Sequence, residues 1–137
     1  MNHLQIGYAR ECYTPDTPQP QNSVRMGREV LTDLYVTCIA MSDGEQTALI
    51  FSNDVRGLSD KWALAYRALV MEETGLPDES IQICVTHNHS APDISYYHRR
   101  DDVNDWVERL CFPAVVRAAK GMHEKVFADA RESGYVR

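Results

Sequence analysis

No run of apolar residues in this chain approaches the roughly 18 to 20 that a membrane-spanning helix requires, and nothing near Met1 joins a basic start to a long apolar stretch. A spanning helix and a secretory leader are therefore not expected, and a cytoplasmic, reducing location is the default reading. A basic footprint is also missing. The formal net charge is −6, and the densest basic spot, His98-Arg99-Arg100, is followed at once by Asp101 and Asp102. That balance argues against nucleic acid or an anionic membrane as the main partner. The four cysteines (Cys12, Cys38, Cys84, Cys111) form no C-x-x-C pair and lie mostly in apolar runs, as buried reduced thiols do. No glycine-rich phosphate loop follows any predicted strand, which weakens a nucleotide-binding reading. Repeats, low-complexity stretches and linkers are absent too, so residues 1–137 are read as one domain, long enough to bury a core without staples.

What is present is ordinary globular material, 44% hydrophobic and 25% charged. Residues 3–11 alternate apolar and polar, with Leu4, Ile6 and Tyr8 on one side, and predict a strand. Three prolines and no periodicity make residues 14–28 the longest irregular segment, a loop placed to cover a site. Two β-rich runs, 33–42 and 46–53, flank Asp43-Gly44-Glu45, a tight hairpin turn. From Ser59, a plausible N-cap, apolar residues at helical spacing run to Gly75 and Pro77, which stop the helix. Residues 80–85 form a second compact apolar strand, so strand, helix and strand make a βαβ unit with a right-handed crossover expected. Residues 86–100 read as loop. Residues 102–126 read as helix, with Pro113 expected to kink or split it. The class is α/β: a mixed sheet with an antiparallel hairpin and a βαβ unit, helices packed on the sheet.

Ligands of α/β sheets bind beyond the carboxyl ends of the strands, and two polar clusters share that place: Asn53-Asp54 and Thr86 to Ser90. His87 and His89, two residues apart past an apolar strand, can reach one cavity. Imidazole is the commonest transition-metal ligand, and its second nitrogen needs a carboxylate or carbonyl to fix the tautomer. Asp54 is a candidate for that partner, or for a ligand. The plainer account also stands, because solvated loop histidines give the same pattern and a catalytic zinc needs three protein ligands. Asp54 reads equally as a turn carboxylate bonded to nearby amides. Tyr96 and Tyr97 either line a substrate channel or anchor the loop by packing. His3, His98 and His123 read as surface residues, and Trp62 and Trp106 as core.

Three stretches together, IGYARECYTP, LYVTCIAMSDGEQTALIFSNDVRGLSD and SIQICVTHNHSAPD, resemble in order and spacing the N-terminal part of the neutral/alkaline non-lysosomal ceramidases and their bacterial relatives. The resemblance runs from residue 4 to about residue 125, and its most specific element is T-H-x-H-S-[AG]-P after a buried strand. It implies zinc-dependent hydrolysis of an N-acyl amide such as ceramide. His87 would be a zinc ligand, and His89 a neighbour that binds or polarises substrate. Beside these two, Asp54 stays a candidate catalytic partner and Tyr96 and Tyr97 candidate substrate-binding residues, on the residues themselves rather than on the resemblance. The family's further ligands, a His, a Glu and a Tyr, come from regions with no counterpart here, and Asp93-Ile94-Ser95-Tyr96-Tyr97 replaces the glycine-rich continuation common after the motif. A partial or split enzyme follows, completed by a second copy or a partner chain. The alternative is a non-catalytic ligand-binding or interaction domain that keeps the scaffold.

Overall fold

A computed structural model describes residues 4–21, 25–95 and 101–121. β1 (Gln5–Cys12) pairs antiparallel with β2 (Tyr35–Ser42), which turns through Asp43-Gly44 into antiparallel β3 (Thr47–Asn53). Gly44 takes φ +93, a left-handed value that costs a residue without Cβ little. The Asp43 carboxylate accepts the amides of Glu45 and Gln46 at 2.9 and 2.8 Å. Those amides, Gln46 first, hold its pKa below the ordinary carboxylate value. After a two-residue strand, β4 (Gly57–Leu58), comes α1 (Asp60–Thr74), capped by Ser59 and closed by left-handed Gly75 at φ +69. One 3₁₀ turn then leads to β5 (Ile81–Val85), which lies parallel to β3. The sheet order is β1-β2-β3-β5, so the predicted mixed α/β sheet, hairpin and strand–helix–strand unit are all present.

One element departs from the sequence reading, and one expected interruption takes a specific form. Within the segment read as loop, Asp93–Ile94 forms β6, parallel to β4, because the Pro92 carbonyl accepts the Arg56 amide at 2.9 Å and brings the two short stretches together. Pro113 interrupts the regular helix, as its position predicts, without ending it. It has no amide hydrogen, and its ring would collide with the carbonyl four residues back. The chain absorbs this with a π-turn at Val107–Cys111, between α2 (Asp101–Trp106) and helical backbone over 112–121, with the Phe112 amide bonded to the Val107 carbonyl. The predicted helical residues after 121 lie outside the described residues.

The register puts Val36, Cys38, Ala40, Leu49, Phe51 and Ile81 on one sheet face, and the helices cover that face. Phe51 meets Tyr66 of α1 edge to face at 5.3 Å, and Trp62 meets Phe112 at 5.6 Å. At the other end of the sheet, Arg117 pairs with Glu11 of β1 at 3.2 Å. Trp106 is fully buried and donates its indole N–H to the Tyr13 carbonyl at 2.9 Å. Both tryptophans are core, as the spacing predicts. Among the described residues the opposite face carries no helix, and Ile6 and Tyr8 are 60% and 63% exposed on it.

Candidate functional site

Parallel pairing of β3 with β5 brings their carboxyl ends to one sheet edge, and a buried polar joint locks them there. Asn53, 5% exposed, donates to the Cys84 carbonyl at 3.0 Å and accepts the Tyr66 hydroxyl at 3.1 Å, while its own carbonyl accepts the Thr86 amide at 2.9 Å. Burial drives the Tyr66 phenol well above its ordinary pKa, so it stays a neutral donor. From this joint the chain emerges as Thr86-His87-Asn88-His89-Ser90. His87 has φ +56, the one left-handed non-glycine among the described residues. That conformation is costly without a turn to impose it. The turn is supplied next door, where the Asn88 side chain accepts the Ser90 amide at 2.8 Å and the Asn88 carbonyl accepts the Ala91 amide at 3.1 Å.

The consequence is that both imidazoles turn to one side. Their ring centroids lie 5.0 Å apart at 72°, and both residues are exposed. Two imidazoles on one tetrahedral zinc, bonded at about 2.0–2.1 Å, hold their centres about 5 Å apart. The pair is compatible with zinc in donor type and spacing, and a catalytic ion needs three protein ligands. Among the described residues, no cluster of three or more His, Cys, Asp or Glu is placed to hold a metal.

Asp54 follows β3 directly, but its carboxylate accepts the Tyr35 amide at 3.0 Å and its amide donates to the Tyr35 carbonyl at 3.0 Å. The turn-carboxylate account describes these bonds, and neither histidine shares them. Tyr96 and Tyr97 lie outside the described residues, as do His3, His98 and His123. The buried thiols stay protonated: burial raises Cys38 to about 12 and Cys111 well above its ordinary value.

The segment read as a loop over a site does border the histidine turn. A groove of about 640 Å³ runs between Met26, Val30 and Leu31 on one side and Asn88, Ser90 and Pro92 on the other, a volume in the range of small-molecule sites. Leu31 is 82% exposed there. The loop is tethered at its start, where Asp16 pairs with Arg109 at 2.7 Å. The Arg109 bond holds the Asp16 pKa below its ordinary value.

The sequence reading missed Arg56 and Asp93. Asp93, 5% exposed, accepts the Ser95 amide at 3.0 Å and the Ser95 hydroxyl, and pairs with Arg56 at 3.7 Å. Their opposite charges are a weak hint, since nothing local in the sequence brings β4 to β6.

No protein-family model matches the sequence, and no curated protein matches it. Solved structures do match in fold. A ceramidase complexed with C2 superposes with a TM-score of 0.63 at 16% identity, over 93% of this chain and 22% of its own. The neutral ceramidase from Pseudomonas aeruginosa superposes with a TM-score of 0.61 at 15% identity, again over 93% and 22%. The chain therefore has the fold of one part of these ceramidases and spans about a fifth of their length.

Proposed function

We propose that this chain carries the histidine-bearing part of a zinc-dependent hydrolase of linear N-acyl amides, ceramide-like in substrate class. The observation that carries the reading is the His87–His89 pair, rings 5.0 Å apart, at the carboxyl edge of a parallel strand pair and next to a groove of mixed polar and apolar lining. The fold shared with ceramidase structures supports it. In this reading His87 holds the metal and His89 stands beside it, placed to hydrogen-bond the amide carbonyl or to pass a proton to the departing amine. A bound zinc would supply a Lewis acid and a water ionised near neutral pH. The groove would receive the apolar part of the substrate along Met26, Val30 and Leu31, with Ser90 and Asn88 at its polar end. Tyr96 and Tyr97, which follow the motif, are proposed to line the same channel, and Asp54 to support the site from the end of β3.

A second reading has its own observation. Only two imidazoles converge among the described residues, which suits a domain whose remaining ligands come from a second copy, a partner chain or further sequence, or one that binds an amide lipid without cleaving it. Metal analysis of the purified chain, with hydrolysis of a fluorogenic N-acyl amide, separates these. The hydrolase reading expects bound zinc, amide cleavage, and loss of both in His87→Ala. Zinc binding without cleavage, abolished by the same variant, moves the conclusion to an incomplete or binding-only site. No zinc uptake at micromolar metal overturns the metal assignment.

A further inference from the structure

We infer that Arg56 and Asp93 are positioning residues that lock the segment 19–21 onto the histidine turn, so that the turn and the groove wall are set as one unit. The proposal rests on the hydrolase reading only in treating His87 and His89 as the reactive groups. Asp93 sits at the centre. Its carboxylate is almost fully buried and meets the Arg56 guanidinium at 3.7 Å and Ser95 through both amide and hydroxyl. Its backbone amide donates to the Pro20 carbonyl at 2.9 Å. Arg56 reaches the same segment from the other side, donating from Nη1 to the Gln21 carbonyl at 3.0 Å, while its amide holds the Pro92 carbonyl at 2.9 Å. Gln21 closes the circuit by donating its side-chain amide to the Ser90 carbonyl at 2.9 Å, one residue past His89.

A buried carboxylate is costly unless paired and hydrogen-bonded. The Asp93 carboxylate has its charge partner only when Arg56 is brought to β6, and the Asp93 amide then binds Pro20. The charge pair thereby converts loop placement into turn placement: shifting Gln21 moves Ser90, and Ser90 is inside the Asn88 turn that imposes φ +56 on His87. Space enforces the same arrangement. A methyl group on Gly57 would meet the Ser95 Cβ and Oγ at 3.0 Å and the Asp93 carboxylate at 3.3 Å.

The test uses the full chain without metal or substrate, so that neither zinc binding nor turnover enters the result. Wild type, Asp93→Asn, Arg56→Ala and Arg56→Lys are compared by limited trypsin digestion after Arg25 and Arg28, and by NMR of the His87 and His89 imidazoles. Asp93→Asn and Arg56→Ala are expected to speed cleavage at least about tenfold and to abolish the inter-ring contact seen as a nuclear Overhauser effect. Arg56→Lys should restore part of both. Faster cleavage with the histidine contact intact would reduce the pair to a loop tether and overturn the proposal, as would no change in either readout. Should the charge variants fail to fold, Gln21→Ala and Gly57→Ala decide it: each is expected to weaken the histidine contact, and unchanged imidazole signals in both overturn it.

Discussion

At the residue scale, the most informative side chain is His87, because its backbone and its imidazole make opposing demands. A left-handed φ of +56 costs an L-residue roughly 1–2 kcal/mol against its common conformations, and glycine escapes that cost. His87→Gly should therefore be more stable than His87→Ala by about 1 kcal/mol in urea denaturation, although both lose the imidazole. Equal stability would mean the turn relaxes once the histidine is gone. The position of the pair was legible in the sequence, since an H-x-H segment straight after an apolar strand must emerge at the sheet edge. The strained residue was not: turn chemistry points to Asn88, which tolerates left-handed backbone, whereas Asn88 acts here through its side chain. A second residue-scale expectation concerns the thiols. Cys12 and Cys84 are exposed, and Cys38 and Cys111 are buried with thiols held protonated by burial. A maleimide should label the first two in the native protein and the others only after unfolding.

At the element scale, the site depends on a joint between β3, β5 and α1, and Asn53 is that joint. Replacing it with alanine would strand the Tyr66 hydroxyl and the Cys84 carbonyl, and leaving buried polar groups unpaired costs roughly 1–3 kcal/mol. Asn53→Ala is therefore expected to destabilise by about 2–3 kcal/mol. Tyr66→Phe, which frees one side-chain acceptor, should cost about 1 kcal/mol. The double variant should cost less than the sum, because the two share a bond; strict additivity would show that the joint is not a unit. Why some elements were legible follows from the same contrast. The hairpin, α1 and β5 announce themselves through alternation, caps and the Asp-Gly turn. β6 arises from a contact between distant segments, Arg56 with Pro92, that no local period encodes, whereas the π-turn answers to Pro113 nearby, which marks an interruption without specifying its form. Asn53 was seen at a strand end, but its burial depends on α1 packing over it.

At the scale of the whole molecule, the described residues form a four-stranded sheet with helices on one side, besides the short β4–β6 pair, and the two faces of the larger sheet should answer mutation very differently. Phe51 is fully buried against Tyr66, so Phe51→Ala removes a large side chain from the only layer that joins sheet to helices among the described residues. Such truncations typically cost about 3–5 kcal/mol, and loss of the joint under the histidine turn should accompany it, since Tyr66 holds both Phe51 and Asn53. Ile6, on the face that carries no helix among the described residues and 60% exposed, should tolerate threonine within about 0.5 kcal/mol, with the imidazole signals of His87 and His89 unmoved. Paired urea titrations and NMR spectra of the two variants check this. The contrast matters for function because it separates the two ways of damaging the site. A covered-face variant reaches the histidines through Tyr66 and Asn53, whereas an open-face variant can reach them only by weakening the sheet itself. A large loss of stability in Ile6→Thr would mean that this face is covered in the folded protein, and the one-sided reading of the sheet would then be wrong.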